Sequence, residues 1–282
     1  SGNLAITGAA TFITAATGSN IILDGSGNAF AAAVTMKADT GGNEAFGNIT
    51  FVDSGAVKLH SSAGTNGDLF IDASTDGPVG GNLSITATTG NITQGVVVAI
   101  TGTTTLVTSA NDATITLNDT SNAFTGALTI TTNDNSGTDA DVTIDGGTTA
   151  LIIAASTIDG DLTLTSGHAS GITDSGNVTV GGNLAATTDD NDGVINMGTL
   201  LVDGTVALTT NGTGAATVVN DAGLNFAAST VGGALSATAT TGNITDSGTL
   251  AITGTTTLVT SANDATITLN DTSNAFTGAL TI

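Results

Sequence analysis

Strict alternation, broken off and begun again, runs the length of this chain. Leu83-Ser-Ile85-Thr, Ile115-Thr-Leu117, Leu128-Thr-Ile130, Val142-Thr-Ile144, Leu162-Thr-Leu164-Thr, Val178-Thr-Val180 and Val206-Ala-Leu208-Thr each put an apolar residue at every second position, with Thr, Ser or Ala between. A period of two is that of a β-strand with one buried face. The runs are three to five residues long, are bounded by Gly, Asn and Asp, and recur every 8–15 residues. They predict many short strands that turn apolar side chains to a common interior and Thr outward. By the same rule Lys58 and His60, on either side of Leu59, face outward.

The pattern also repeats on a larger scale. Residues 99–130 and 251–282 are the same 32-residue string, AITGTTTLVTSANDATITLNDTSNAFTGALTI, and 5–36 is a looser copy without gaps. Segments 80–93 and 232–245 correspond at the same offset of 152, 151–165 and 224–238 at 73, and 170–180 and 242–252 at about 72. These spacings lie near multiples of about 19 and predict about 13–15 coils of roughly 19–22 residues, within the range of solenoid repeats. Repetition at fixed offsets stacks equivalent strands in parallel, and so short a coil leaves no room for long crossovers. An antiparallel sandwich is set aside on both counts.

The expected fold is therefore all-β: a parallel β-helix, or β-solenoid, running as one continuous segment over 1–282. The chain opens within one copy and closes within another, as a window of a longer array would. Asn and Asp at the turns, as in LNDTSN, are expected to form side-chain ladders. Phe30, Phe124 and Phe276 recur in NAF and are expected to stack in the core or at a corner.

Composition sharpens this. Roughly one residue in five is Thr; Glu44 is the one glutamate, Lys37 and Lys58 are the only cations besides two histidines, and Pro78 is the one proline. A surface helix needs charged residues on its wet face, so helices are not expected. The net charge of −22 is almost all Asp. Nucleic acid and anionic membranes need Lys or Arg opposite their phosphates and are implausible partners. No apolar run reaches the length that spans a bilayer, so no membrane insertion is expected. The absence of cysteine excludes disulfides, thiolate metal sites and cysteine nucleophiles.

Units such as GNLSITATTGNIT, DSGTLAITGTTTLVT and NDATITLNDTSNAFTGALTI resemble the repeats of filamentous-haemagglutinin-type exoproteins, the large bacterial surface proteins exported by two-partner secretion or as autotransporters. The resemblance covers essentially the whole chain. It implies a right-handed parallel β-helix shaft, an extracellular or cell-surface location, and a role in adhesion, biofilm or surface filaments. It transfers no functional residue, because neither the secretion domain nor a receptor-binding module is visible.

Candidate chemistry is sparse. His60 and His168 are far apart in sequence and have no evident partner, and without Cys, Tyr or Arg most catalytic arrangements cannot be assembled. The chain is not expected to be an enzyme; a carboxylate pair acting on polysaccharide is the remote alternative. Two loops are dense in oxygen ligands: 133–141, with Asp134, Asp139 and Asp141, and 189–193, with Asp189, Asp190 and Asp192. Ca²⁺ takes six to eight oxygens, and Asp and Asn around a Gly turn suit it. It is the one cofactor these residues suggest. Outward Thr-x-Thr pairs, at 114/116, 129/131 and 163/165, raise an ice-binding face as another alternative. Trp and Tyr, the usual platforms for sugars, are absent. The reading is a structural shaft or filament segment of a large secreted surface protein. Its partners are further repeats of the same chain and copies of itself in fibres; a calcium-dependent or ice-binding adhesin module is the alternative.

Overall fold

The computed structural model describes residues 2–16, 18–38, 47–60, 68–70, 79–133 and 139–282. Every regular element among them is a strand, and the strands pair in parallel. No helix is long and apolar enough to cross a membrane. The chain forms two compact units, Ser1–Asp145 and Gly146–Ile282.

In the first unit the chain passes again and again through the same two sheets. One stacks Ile21–Leu23, Ile49–Asp53, Leu83–Ala87, Thr104–Thr108 and Leu128–Thr131 in chain order. The other carries Ala10–Thr14, Val34–Ala38, Val57–His60, Ile92–Gln94, Ile115–Leu117 and Val142–Asp145, with Asp68–Phe70 wedged between the second and third. Two-residue strands close a third side, where Ala99–Ile100 meets Ala123–Phe124. Alternation does what the sequence implies. Leu83, Ile85, Leu106, Leu128 and Ile130 stack rung on rung inside, each almost wholly buried. Phe30 lies 5.1 Å from Phe51, and Phe124 is fully buried.

The second unit builds each turn from one five-residue strand opposite two three-residue strands. Leu162–Ser166 and Leu184–Thr188 stack on one side, while Leu151–Ile153 with Ser156–Ile158 and Ile172–Asp174 with Val178–Val180 stack on the other. At Ile195–Val202 the roles exchange. This eight-residue strand rests on the two short strands before it and carries the five-residue Ala216–Asn220 after it, with a bulge between Met197 and Leu200. Opposite, Thr205–Thr209 carries the short strands Leu224–Phe226 and Ser229–Val231.

The fold is thus an all-β, parallel β-solenoid, but with about 11 turns instead of 13–15. Turns can be longer than 19–22 residues: Asn48 and Asn82, at equivalent corners, are 34 apart, and the interval holds the additional strand Asp68–Phe70. The role exchange also misled the spacing argument. From Ile172 the chain passes Ile195, Ala216 and Leu235 on one side before Ile244 appears on the other. The offset of 72 residues therefore holds three and a half turns, not four.

Corners demand small residues. A Cβ on Gly126 would collide with the carbonyl of Gly102 on the preceding turn, and Gly278 stands in the same relation to Gly254. Asp112, Asn191, Asp192 and Asp264 take left-handed backbone, which Asn and Asp tolerate best after Gly. Not every Thr faces out. Thr108 and Thr188 end strands and Thr210 follows one; their buried hydroxyls donate to the turn carbonyls of Ala113, Gly193 and Gly214.

Candidate functional site

The corners hold a recurrent device. An Asn or Asp just before a strand offers Oδ1 to the backbone N–H at the same corner one turn later. Asn20 serves Asn48 at 2.8 Å, Asn48 serves Asn82 at 2.9 Å, and Asn82 serves Thr103 at 2.8 Å. Asn91 serves Thr114, Asp161 serves Asn183, Asn183 serves Thr205 and Asn243 serves Thr266. Each bond satisfies a corner N–H that the strand ladder leaves over.

Asn177 stands before Val178 just as these residues stand before their strands, yet it serves nothing. Val178 pairs with Leu200, so the N–H due to Asn177 is that of Thr199. Asp174 has taken it: its Oδ2 accepts from Thr199 N at 2.6 Å and its Oδ1 from Gly198 N at 2.9 Å. Both carboxylate oxygens are thereby engaged by the bulge. Asn177 is left exposed at the edge of a shallow cleft of about 250 Å³, lined also by Thr179, Thr199, Leu201, Val219, Asp221 and Thr240. Asp221 accepts from the Thr240 hydroxyl on Oδ1, and Leu201 is 36% exposed. Sequence reasoning missed this cleft. Its signal was Gly198 inside a run of strand-like residues, Ile195-Asn-Met-Gly-Thr-Leu-Leu-Val202, since a Gly within a strand marks a bulge.

The acidic loops behave differently from one another. Asp134 lies outside the described residues. Asp139 and Asp141 are exposed, and the Asp139 carbonyl accepts from Asp141 N. In the second loop Asp192 is a corner residue of the kind above, its Oδ1 accepting from Thr213 N at 2.7 Å. Asp190 Oδ1 accepts from Asn191 N, and Asp189 is exposed. Among the described residues no three Asp, Glu or His side chains gather as a metal site. His168 accepts from Ser170 N on Nδ1 at 3.0 Å and so closes its own turn; His60 pairs through its backbone with Phe70.

Two carboxyls are shifted. Burial pushes Asp53 above the usual carboxylate range, and backbone N–H bonds from Phe30, Gly55 and Ser54 offset this only in part. For Asp246 burial also raises, but the Asn274 amide and the N–H groups of Asn270 and Asp271 outweigh it and hold the carboxyl below its ordinary value.

Outward Thr residues form single columns more readily than paired ones. In the first unit Thr50, Ser84, Thr105 and Thr129 stack unbroken, whereas the parallel column reads Val52, Thr86, Val107, Thr131. In the second, Thr165, Thr187 and Thr209 stack, but Thr163 is followed by Ala185 and Ala207.

Stacked coils, a continuous apolar interior and corner amide ladders define a β-solenoid repeat protein. Residues 1–37, 46–131, 139–192 and 213–282 match the family described as "Repeats of unknown function (DUF5649)", and the chain belongs to that family. The interval 193–212, which holds the bulge, lies outside the matched segments. No curated protein matches the chain. No solved structure matches it either.

Proposed function

We propose that this chain is shaft or filament material of a large secreted bacterial surface protein of the filamentous-haemagglutinin-like kind, without catalytic activity, supporting adhesion, biofilm or cell-surface fibres. The observation that carries the reading is the equivalence of the turns: each buries its apolar row on the next and hands its corner amide to the next. Such a stack gains stability by nearest-neighbour terms and extends without limit of length. A surface of Thr, Ser, Ala and Val with Asp at the corners suits a long β structure that must stay soluble outside the cell. Its partners in this reading are further repeats and copies of itself, not nucleic acid or lipid.

Antibodies against residues 1–282 should label the outside of intact source cells, and labelling only after lysis would overturn the reading. The calcium-dependent alternative predicts a large fall in melting temperature on chelation; an unchanged melt removes it. The ice-binding alternative predicts partitioning into a growing ice front, and exclusion from the ice removes that one.

A further inference from the structure

We propose that the cleft beside the Gly198–Thr199 bulge binds an uncharged, hydroxyl-bearing ring, the hexose unit of a neutral glycan. Three independent observations converge there. Asn177 is released from the corner ladder because Asp174 occupies the N–H it would serve, so its carboxamide keeps a free donor pair and a free acceptor at the cleft edge. The interval 193–212, which holds the bulge, lies outside the segments that match the family repeat. The cleft also combines polar groups with apolar surface, the exposed Leu201 and the half-buried Val219.

The chemistry selects the ligand. Asn177, Asp221 and the hydroxyls of Thr179 and Thr240 supply donors and acceptors suited to sugar hydroxyls, and Leu201 with Val219 suits the C–H face of a ring. No cationic side chain lines the cleft, and the chain carries −22, so phosphate, sulfate and uronate groups find nothing to neutralise them. A metal ion would find one carboxylate, Asp221, with one oxygen already taken by Thr240. At about 250 Å³ the space falls below the range of drug-sized sites and fits a single ring. The inference does not rest on the shaft reading, and either can fail without the other.

The test is an NMR titration of ¹⁵N-labelled 1–282 with cellobiose, maltose and lactose, with glucuronic acid and CaCl₂ as separate probes. The expected result is saturable shifts at the amides of Asn177, Leu201 and Asp221 with at least one neutral disaccharide and none with glucuronic acid or CaCl₂. Asn177→Ala should weaken that binding about tenfold, the worth of one well-made hydrogen bond. Its melting curve should be unchanged, because the side chain holds nothing in the fold. Asn183→Ala, which cuts the ladder away from the cleft, should lower stability and leave binding intact. Silence with all three sugars, shifts that persist unchanged in Asn177→Ala, or a response to CaCl₂ or glucuronic acid at the same amides would overturn the proposal.

Discussion

Residues 99–130 and 251–282 are identical in sequence and unlike in environment. Their upper rows agree: Ile100 and Ile252, Thr104 and Thr256, and Leu106 and Leu258 are all buried. Their lower rows part. Leu128 is 0% exposed and Leu280 44%; Ile130 is 0% and Ile282 75%. The difference lies in what stacks below. Val142–Asp145 pairs with Ile115–Leu117, and Ile267–Thr268 belongs to the last turn that residues 1–282 contain. One string thus takes its burial from its neighbour, not from itself. In a globule with a single core, identical segments seldom offer so clean a comparison; in a stack the unit of stability is the interface between turns.

The neighbour above also differs, most consequentially at Gln94, where the second copy has Asp246. Asn122 exchanges two amide bonds with Gln94, each 2.9 Å. Asn274, its twin, donates to the Asp246 carboxylate at 2.6 Å. The same Asn thus meets a neutral partner in one copy and a charged one in the other.

Four measurements would break or sharpen this comparison. The largest contrast concerns the lower row: in the polypeptide 1–282, Leu128→Ala should cost about 3 kcal/mol, the scale of a core truncation, and Leu280→Ala, in its last turn, well under about 1 kcal/mol, by urea denaturation. Equal losses would show that burial in the stack does not set the energy. Next come the buried hydroxyls of Thr104 and Thr256, which lack hydrogen-bond partners and sit in columns of Leu. Replacing either by Val should raise stability by about 1–2 kcal/mol, and by similar amounts, because the upper row is the same in both copies. A gain in only one copy would mean that the lower neighbour reaches through the turn.

The corner ladder predicts a smaller, matched effect. Asn91→Ala and Asn243→Ala each remove one bond to the twin residues Thr114 and Thr266, and each should cost about 1 kcal/mol in a thermal melt. The smallest effect is pH. Asp246, held below its ordinary pKa, contributes stability that is present above the unfolded value of about 3.9 and is lost as pH falls through the folded one. Asp53 has the opposite sign, because its raised pKa gives stability that is full below the unfolded value and is lost as pH rises through the folded one. Hydrogen-exchange protection at residues 267–276, taken relative to the intrinsic rate at each pH, should therefore fall on acidification below about pH 4, while that of the twin residues 115–124 beside Gln94 stays unchanged. Asp246→Gln should abolish the difference.

Much of the fold was legible because alternation has one cause: a strand with a dry face and a wet face. Leu83, Ile85, Leu162 and Leu164 point inward as their spacing requires. The number of turns was less legible. Spacing alone does not show that two three-residue strands span the same side as one five-residue strand, and the exchange at Ile195–Val202 depends on that equality. The general expectation that Thr faces outward fails at Thr108 and Thr188, because their burial rests on a carbonyl five residues on, which periodicity does not see. The cleft was hidden for a related reason. Asp174 and Asn177 compete for one N–H, and only the register of the next turn decides between them.

The exchange of sides at Ile195–Val202 bears on how such a chain changes length over generations. If a long strand and a pair of short ones are interchangeable as neighbours, a duplicated or deleted stretch of gene need not encode whole turns. A half-turn step leaves the stack paired, merely presented from the opposite side. Unequal recombination between related segments, such as those encoding 170–180 and 242–252, would then yield folded products at half-turn as well as whole-turn offsets, and variation in length would be tolerated in steps of roughly ten residues, half the length of a typical solenoid repeat.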